Sequence, residues 1–109
     1  MKEHLTLLAL ILVAAASCGY AATAADNWDN NCARCHKADG SGKTAIGRRY
    51  RLKDYTDAAV QAAMKDDDMF KVIKEGVTED GKVRMKAFKD DLSDAEITDL
   101  VAYIRKMKK

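Results

Sequence analysis

Two cysteines three positions apart, followed at once by a histidine, constrain this chain more than any other feature. They are Cys32, Cys35 and His36 in the pentapeptide Cys32-Ala33-Arg34-Cys35-His36. About one helical turn separates the two thiols, and the histidine comes one position later. After His36 the chain contains no further cysteine or histidine. This excludes a metal site that needs further cysteine or histidine ligands after His36.

This spacing is the attachment pattern for covalently bound haem. Each thiol adds across one vinyl group of the porphyrin, and the two intervening residues let a single helical turn reach both vinyls. His36 is then carried under the iron and can supply one axial nitrogen while the thioethers hold the macrocycle. The pentapeptide therefore predicts one haem c, attached through Cys32 and Cys35, with His36 as the proximal iron ligand.

Three other interpretations of the same residues fit less well. A zinc site needs a second pair of Cys or His ligands at metal spacing, and none follows His36. A thioredoxin-like redox pair needs a βαβ context, whereas this chain predicts helices without convincing strands. A disulfide between Cys32 and Cys35 would close a very small loop and constrain little of the unfolded chain.

The N-terminus predicts export. Residues 5–16 form a twelve-residue apolar run, and Ala22-Thr23-Ala24 offers small residues to a signal peptidase. We therefore divide the chain into a secretory signal peptide, residues 1–25, and a single periplasmic domain, residues 26–109. Small residues also precede Cys18, as in a lipoprotein signal. Lipid attachment at Cys18, or an uncleaved signal, would tether the protein to a membrane.

Composition excludes some partners and predicts a small core. The 109 residues include 19 Lys and Arg against 17 Asp and Glu, a net charge of +2. This balance provides no strong field for nucleic acid. A domain this short buries a proportionally small core, and both of its cysteines are assigned to haem. We therefore expect the apoprotein to be poorly folded.

Patterning predicts a mostly helical domain. Helices are expected over residues 26–36, 56–65, 66–75 and 93–109. The second begins at a Thr56 or Asp57 cap, Gly76 stops the third, and Ser93-Asp94-Ala95-Glu96 is a capping box for the last. Residues 77–91 lack a sustained period and contain Gly81, which predicts a loop carrying Met85.

These features, in this order, resemble a small bacterial class I cytochrome c. Trp28 stands four residues before Cys32, and a Met85-Lys86-Ala87-Phe88 segment precedes a final helix containing Leu100-Val101-Ala102-Tyr103-Ile104. The resemblance covers nearly all of residues 26–109. It implies an all-α fold of about four short helices around one covalent haem, with the first and last helices crossing near a haem edge. Trp28 would meet Leu100 and Tyr103 there.

The resemblance also implies that Met85 is the distal iron ligand. Met64, Met69 and Met107 fall in predicted helices, where methionine usually fills a core; of these, Met64 and Met69 are the main alternatives. The family often has proline after the ligand methionine, whereas Lys86 follows here. Because proline stiffens a loop, we expect Met85 to be held less firmly, with ligand exchange to Lys86 or Lys82 at high pH.

Further residues are candidates for contact with haem or partners. Trp28, Tyr50 and Tyr55 are candidate haem contacts, the tyrosines through the propionates. Cations near Met85 either steer docking onto acidic redox partners or merely keep a loop solvated; they are Lys82, Arg84, Lys86 and Lys89. A second group is assigned to propionate contacts or solvation, namely Arg48, Arg49, Arg51 and Lys53.

The implied function is non-catalytic: a periplasmic carrier that passes single electrons between redox partner proteins such as a respiratory reductase, oxidase or dehydrogenase. Met/His ligation would leave no open coordination position. One alternative is an open-site haem protein that binds a small ligand or reduces peroxide, although residues 26–109 offer no second histidine as acid or base. Another is a tethered haem subunit of a larger oxidoreductase.

Overall fold

A computed structural model describes residues 22–109. Within them the chain forms six helices and one hairpin: α1 (Ala24–Asn31), α2 (Ala33–His36), α3 (Ala45–Arg49), α4 (Ala58–Ala63), α5 (Asp66–Glu75), β1 (Val77–Glu79), β2 (Lys82–Met85) and α6 (Asp94–Arg105). No helix in this part of the chain is both long and apolar enough to cross a membrane. Cys18 and most of the predicted signal peptide lie outside the described residues.

The first helical region begins earlier than predicted and is divided in two. A capping box starts α1: the Thr23 hydroxyl accepts a hydrogen bond from the Asp26 amide at 3.2 Å, and the Asp26 carboxylate accepts one from the Thr23 amide at 3.4 Å. The sequence predicts one helix over residues 26–36, but Cys32, at φ −120° and ψ −40°, separates α1 from α2. The His36 amide still donates to the Cys32 carbonyl at 3.0 Å. The attachment segment therefore remains one helical turn.

The middle helices follow local signals. Asp57, and not Thr56, caps α4, where its carboxylate accepts a hydrogen bond from the Ala59 amide at 2.8 Å. Gly76 ends α5 with a φ of +74°, as its position predicts. Helix α3 has no counterpart among the predicted helices; it is five residues long and begins at a Thr44 cap. The estimate of about four helices was therefore too low.

The prediction of a loop over residues 77–91 was wrong at its start. Strands β1 and β2 pair antiparallel there, with Val77 opposite Met85. The turn between them contains Asp80 at φ +50° and Gly81 at φ +74°. Two consecutive residues with positive φ form the turn that suits the twist of a two-residue hairpin, and Asp-Gly is a preferred sequence for it. The fold is thus helix-rich with a small hairpin, and Met85 ends a strand.

The core lies where α6 packs against α1 and α5. Trp28, Ile97 and Leu100 are its largest fully buried side chains. The rings of Trp28 and Tyr103 have centroids 6.0 Å apart, so the predicted meeting of the first and last helices is confirmed. Helix α6 shows the predicted apolar face, with four buried residues at helical spacing: Ile97, Leu100, Val101 and Ile104.

A polar network fixes the junction between α4 and α5. The Arg105 guanidinium donates to the Met64 carbonyl at 2.7 Å and to the Asp66 carboxylate at 2.7 Å. The buried Gln61 amide donates to the Ile104 carbonyl at 2.8 Å. These bonds connect the junction to α6, and both Met64 and Ile104 line the cavity described next.

Candidate functional site

A cavity of about 440 Å³ separates the attachment segment from α5 and the hairpin. Seven residues that the sequence assigns to haem line this cavity: Trp28, Cys32, Cys35, His36, Tyr50, Tyr55 and Met85. They come from positions up to 57 residues apart, so the fold has brought distant predictions to a single place. The lining is largely apolar elsewhere, including Ile46, Leu52 and Phe88.

Both attachment cysteines are free thiols. Cys32 is buried and Cys35 is half-buried on the cavity wall. Burial, with a smaller contribution from the neighbouring Cys35, raises the pKa of the Cys32 thiol to about 11. A thioredoxin-like nucleophile has a lowered pKa, so the environment of Cys32 is opposite to what that alternative requires. Two free thiols on the wall of a cavity suit addition to porphyrin vinyl groups.

The unpredicted helix α3 supports this segment. The Thr44 hydroxyl donates to the Cys35 carbonyl at 2.6 Å and accepts from the Gly47 amide at 2.9 Å. Gly47 packs so tightly that a β-carbon there would overlap the Gly42 carbonyl oxygen and stand 3.0 Å from the Cys35 carbonyl oxygen. The Gly42 amide also donates to the His36 carbonyl at 2.9 Å. The backbone after the motif is thus held in place by residues 42–47.

His36 lies between two aromatic rings. Its imidazole stacks on Tyr55, with centroids 5.4 Å apart and planes 22° apart, and is tilted against Trp28 at 5.7 Å. The indole is itself fixed, because its Nε1 donates to the Lys37 carbonyl at 3.1 Å. Burial lowers the pKa of His36 and keeps the ring neutral, which iron ligation requires. Its buried Nδ1 has no hydrogen-bond partner among the described residues.

Three methionines line the cavity, namely Met64, Met69 and Met85. Met69 lies within α5, as the sequence predicts. The sequence also predicts Met64 inside a helix, but Met64 is the C-cap residue of α4. Met107 does not line the cavity, and its sulfur lies against Gly40. Met85 is half-buried at the end of β2, so its backbone is paired although no proline follows it.

The cations near Met85 are mostly paired with acids. Within the described part of the chain, three ion pairs occur there: Arg84 with Glu79 at 4.0 Å, Lys86 with Asp91 at 2.8 Å and Lys89 with Glu75 at 3.8 Å. These pairs compensate the local charge, which favours the solvated-loop interpretation over strong electrostatic steering. In the other basic group, Arg51 and Lys53 line the cavity, whereas Arg48 and Arg49 do not.

The donor set fits haem better than a bare ion. No three Cys, His, Asp or Glu side chains of residues 22–109 come together as a metal site. Two free thiols, a neutral imidazole and a thioether sulfur instead share one mostly apolar cavity. These are the groups that attach haem c and ligate its iron.

The family comparison agrees with this chemistry. A family model described as "Cytochrome C oxidase, cbb3-type, subunit III" matches residues 19–104. The chain belongs to this cytochrome c family. It is a monohaem c-type cytochrome, and its single attachment motif takes one covalent haem c.

Solved structures similar to this cytochrome support the same conclusion. The structure titled "KustC0563 c-type cytochrome" is 30% identical, with a TM-score of 0.72, and the match covers 81% of this chain and 100% of that one. A tyrosine-to-phenylalanine mutant of that protein is 29% identical, with a TM-score of 0.69 and coverage of 80% and 100%. No curated protein matches the cytochrome significantly.

Proposed function

We propose that this cytochrome is a periplasmic electron carrier in which His36 and Met85 are the axial ligands of one haem c. The observation that carries the proposal is that Met85, the neutral imidazole of His36 and both attachment thiols line one cavity. Bound haem supplies a one-electron iron couple. Ligation by Met and His raises its potential and leaves no open coordination position.

The chain's own residues do the remaining work. Trp28 and Tyr55 pack on His36 and keep water from the proximal imidazole. The pairing of β2 with β1 sets the position of Met85 at the cavity.

The test is the optical spectrum of holoprotein made with a c-type maturation system. We expect a low-spin ferric spectrum with the weak sulfur-to-iron charge-transfer band. That band should disappear in Met85→Ala and persist in the matched variants Met64→Leu and Met69→Leu, which also remove a methionine from the cavity wall. Covalent haem staining and circular dichroism confirm that each variant is folded.

Two other results would change the proposed distal ligand or the proposed function. Loss of the band in Met64→Leu or Met69→Leu, but not in Met85→Ala, would identify a different distal sulfur. A high-spin ferric spectrum that shifts readily with cyanide, or a ferrous spectrum that shifts with carbon monoxide, would mean an open iron. The function would then be small-ligand binding or peroxide reduction.

A second candidate is a haem subunit of a larger oxidoreductase, because the matching family model is described as an oxidase subunit. Fractionation of cells that produce the full chain separates the two. A carrier is recovered in the periplasmic fraction and elutes at its own mass, whereas a subunit co-purifies with membrane protein.

Export also remains part of the proposal. Cleavage after Ala24 or Ala25 would remove Thr23, whose hydroxyl caps α1 in the structure. Mass spectrometry of the purified protein gives the N-terminus directly. A mass that begins at residue 25 or 26 supports a soluble form, and a lipid-modified Cys18 supports tethering.

A further inference from the structure

The cavity wall contains one guanidinium whose hydrogen bonding is incomplete. Arg84 lies on β2, directly before Met85, and its side chain is 28% exposed. Its Nε is fully buried and has no hydrogen-bond partner among residues 22–109. Glu79 is its only ion-pair partner there, at 4.0 Å from that nitrogen. A buried N–H without an acceptor is costly, so the position calls for an anionic acceptor inside the cavity.

Tyr50 orients this guanidinium. The Arg84 Cζ lies 4.8 Å from the centroid of the Tyr50 ring, and both residues line the cavity. The Arg49 Cζ lies 5.6 Å from the centroid of the same ring, but Arg49 does not line the cavity. A guanidinium stacked on an aromatic face keeps its N–H edge free, and that edge matches a carboxylate bidentately.

The charge of the wall points to the same ligand. Its charged side chains comprise four cations, Arg51, Lys53, Lys65 and Arg84, against two carboxylates, Asp68 and Glu79. The haem of this cytochrome brings two propionate carboxylates. An excess of cations on a cavity wall is stabilised when such anions enter.

We propose that Arg84, held against Tyr50, binds a haem propionate and raises the reduction potential of the cytochrome. A cation beside the haem favours the ferrous state, which carries one positive charge fewer than the ferric state. Glu79 acts in the opposite direction, both through its own charge and by competing for Arg84. Strand β2 then carries two functions in adjacent residues, a propionate partner and the proposed distal ligand. Propionate binding by Arg84 does not depend on the proposed carrier function, because any haem c in this cavity brings propionates. Only the importance of the reduction potential rests on that function.

The experiment is a spectroelectrochemical titration of holoprotein at fixed pH and ionic strength. With the potential held at the wild-type midpoint, we expect the ferrous fraction to fall in Arg84→Gln and to rise in Glu79→Gln. Arg84→Lys should be intermediate, since it keeps the charge but loses the planar fork. Lys82→Gln is the matched control: it removes the same charge from the same strand, at an exposed residue outside the cavity wall.

A second readout separates propionate binding from a general structural effect. Resonance Raman propionate-bending bands should shift in Arg84→Gln and in Tyr50→Leu, but not in Lys82→Gln. Equal potential shifts in Arg84→Gln and Lys82→Gln, or unmoved propionate bands, would overturn the proposal. So would loss of the sulfur-to-iron band in Arg84→Gln, because Arg84 would then act through Met85. If the wild type lacks that band, Met85 ligation is contradicted, but the shift of the propionate bands still tests the role of Arg84.

Discussion

Gly76 packs directly against the backbone of Met85. A β-carbon on Gly76 would stand 2.5 Å from the Met85 carbonyl oxygen and 2.7 Å from the Ala87 amide nitrogen. Gly76 also has a φ of +74°, where side chains are strained. This glycine joins the end of α5 to the start of the hairpin. Its missing side chain lets the methionine segment lie close to the helix, which restrains that segment without a proline.

Gly76→Ala should therefore disturb Met85. The added methyl group forces the Met85 and Ala87 backbone to move, and the left-handed conformation adds strain of about 1–3 kcal/mol. We expect a weakened or missing sulfur-to-iron band in the ferric spectrum and lower stability. Gly81→Ala is the matched control, since Gly81 also has a φ of +74° but its β-carbon would meet nothing within 4 Å. An unchanged band in Gly76→Ala would mean that this contact does not position Met85.

Ligand exchange at high pH is the second prediction. Lys86 follows Met85 directly, and its ammonium lies 2.8 Å from the Asp91 carboxylate. Lysines lose their proton near about pH 10 and can then ligate iron. We expect the ferric sulfur-to-iron band to disappear in alkaline solution, and at higher pH in Lys86→Ala or Lys82→Ala than in the wild type. A ferric spectrum that stays constant to alkaline pH would exclude this exchange.

The sequence predicts best the features that depend on neighbouring residues. The capping box at Ser93 and the stop at Gly76 each lie within a few residues, and the structure has both where predicted. Helix α3 and the two strands are five residues or shorter. Segments of this length are too short to show a hydrophobic period in the sequence. Only the Asp80-Gly81 turn signal could have revealed the hairpin.

The candidate site also contains some features that the sequence predicts and others that it does not. The motif predicts Cys32 and His36 as site residues because one helical turn sets their spacing. The stacking of Tyr55 on His36 and of Arg84 on Tyr50 joins residues 19 and 34 positions apart. Those contacts depend on where the fold places the segment that follows α3 relative to α2 and the hairpin, which no local pattern contains.

Core packing leads to a stability prediction at Leu100. This side chain has no exposed surface and lies in the cluster that joins α6 to α1 and α5. Leu100→Ala should lower the free energy of unfolding of the holoprotein by about 2–5 kcal/mol. Val83→Ala removes apolar atoms from a residue that is 69% exposed and should change stability by less than about 0.5 kcal/mol. Urea titration measures both, and equal effects would contradict the packing argument.

Glu96 predicts part of the acid sensitivity. Its carboxylate accepts hydrogen bonds from the Ser93 amide at 3.1 Å and from the Asn27 side chain at 3.1 Å. These bonds lower the pKa of Glu96 in the folded state. Its stabilising contribution is therefore complete above the unfolded pKa of about 4.3 and is lost as the pH falls through the lower folded pKa.

Urea titrations at pH 7 and near pH 3 test that contribution. We expect Glu96→Gln to be less stable than the wild type at pH 7 and the difference to shrink near pH 3. Asp99→Asn, which removes an exposed carboxylate from the same helix, is the control for the loss of one negative charge. A difference that stays constant with pH would mean that the Glu96 charge does not contribute.

Removal of the covalent haem is the most demanding test of the fold. The cavity of about 440 Å³ is bordered by core residues, including Trp28, Leu100 and Ile104. Without haem these side chains face water or collapse inward, and a domain this small has little other core to compensate. We expect Cys32→Ala/Cys35→Ala protein, purified without haem, to lose the cooperative thermal transition and to expose Trp28 to solvent in fluorescence. A cooperative transition with a buried Trp28 would show that α1, α5 and α6 fold on their own, and haem would then enter a site that is already formed.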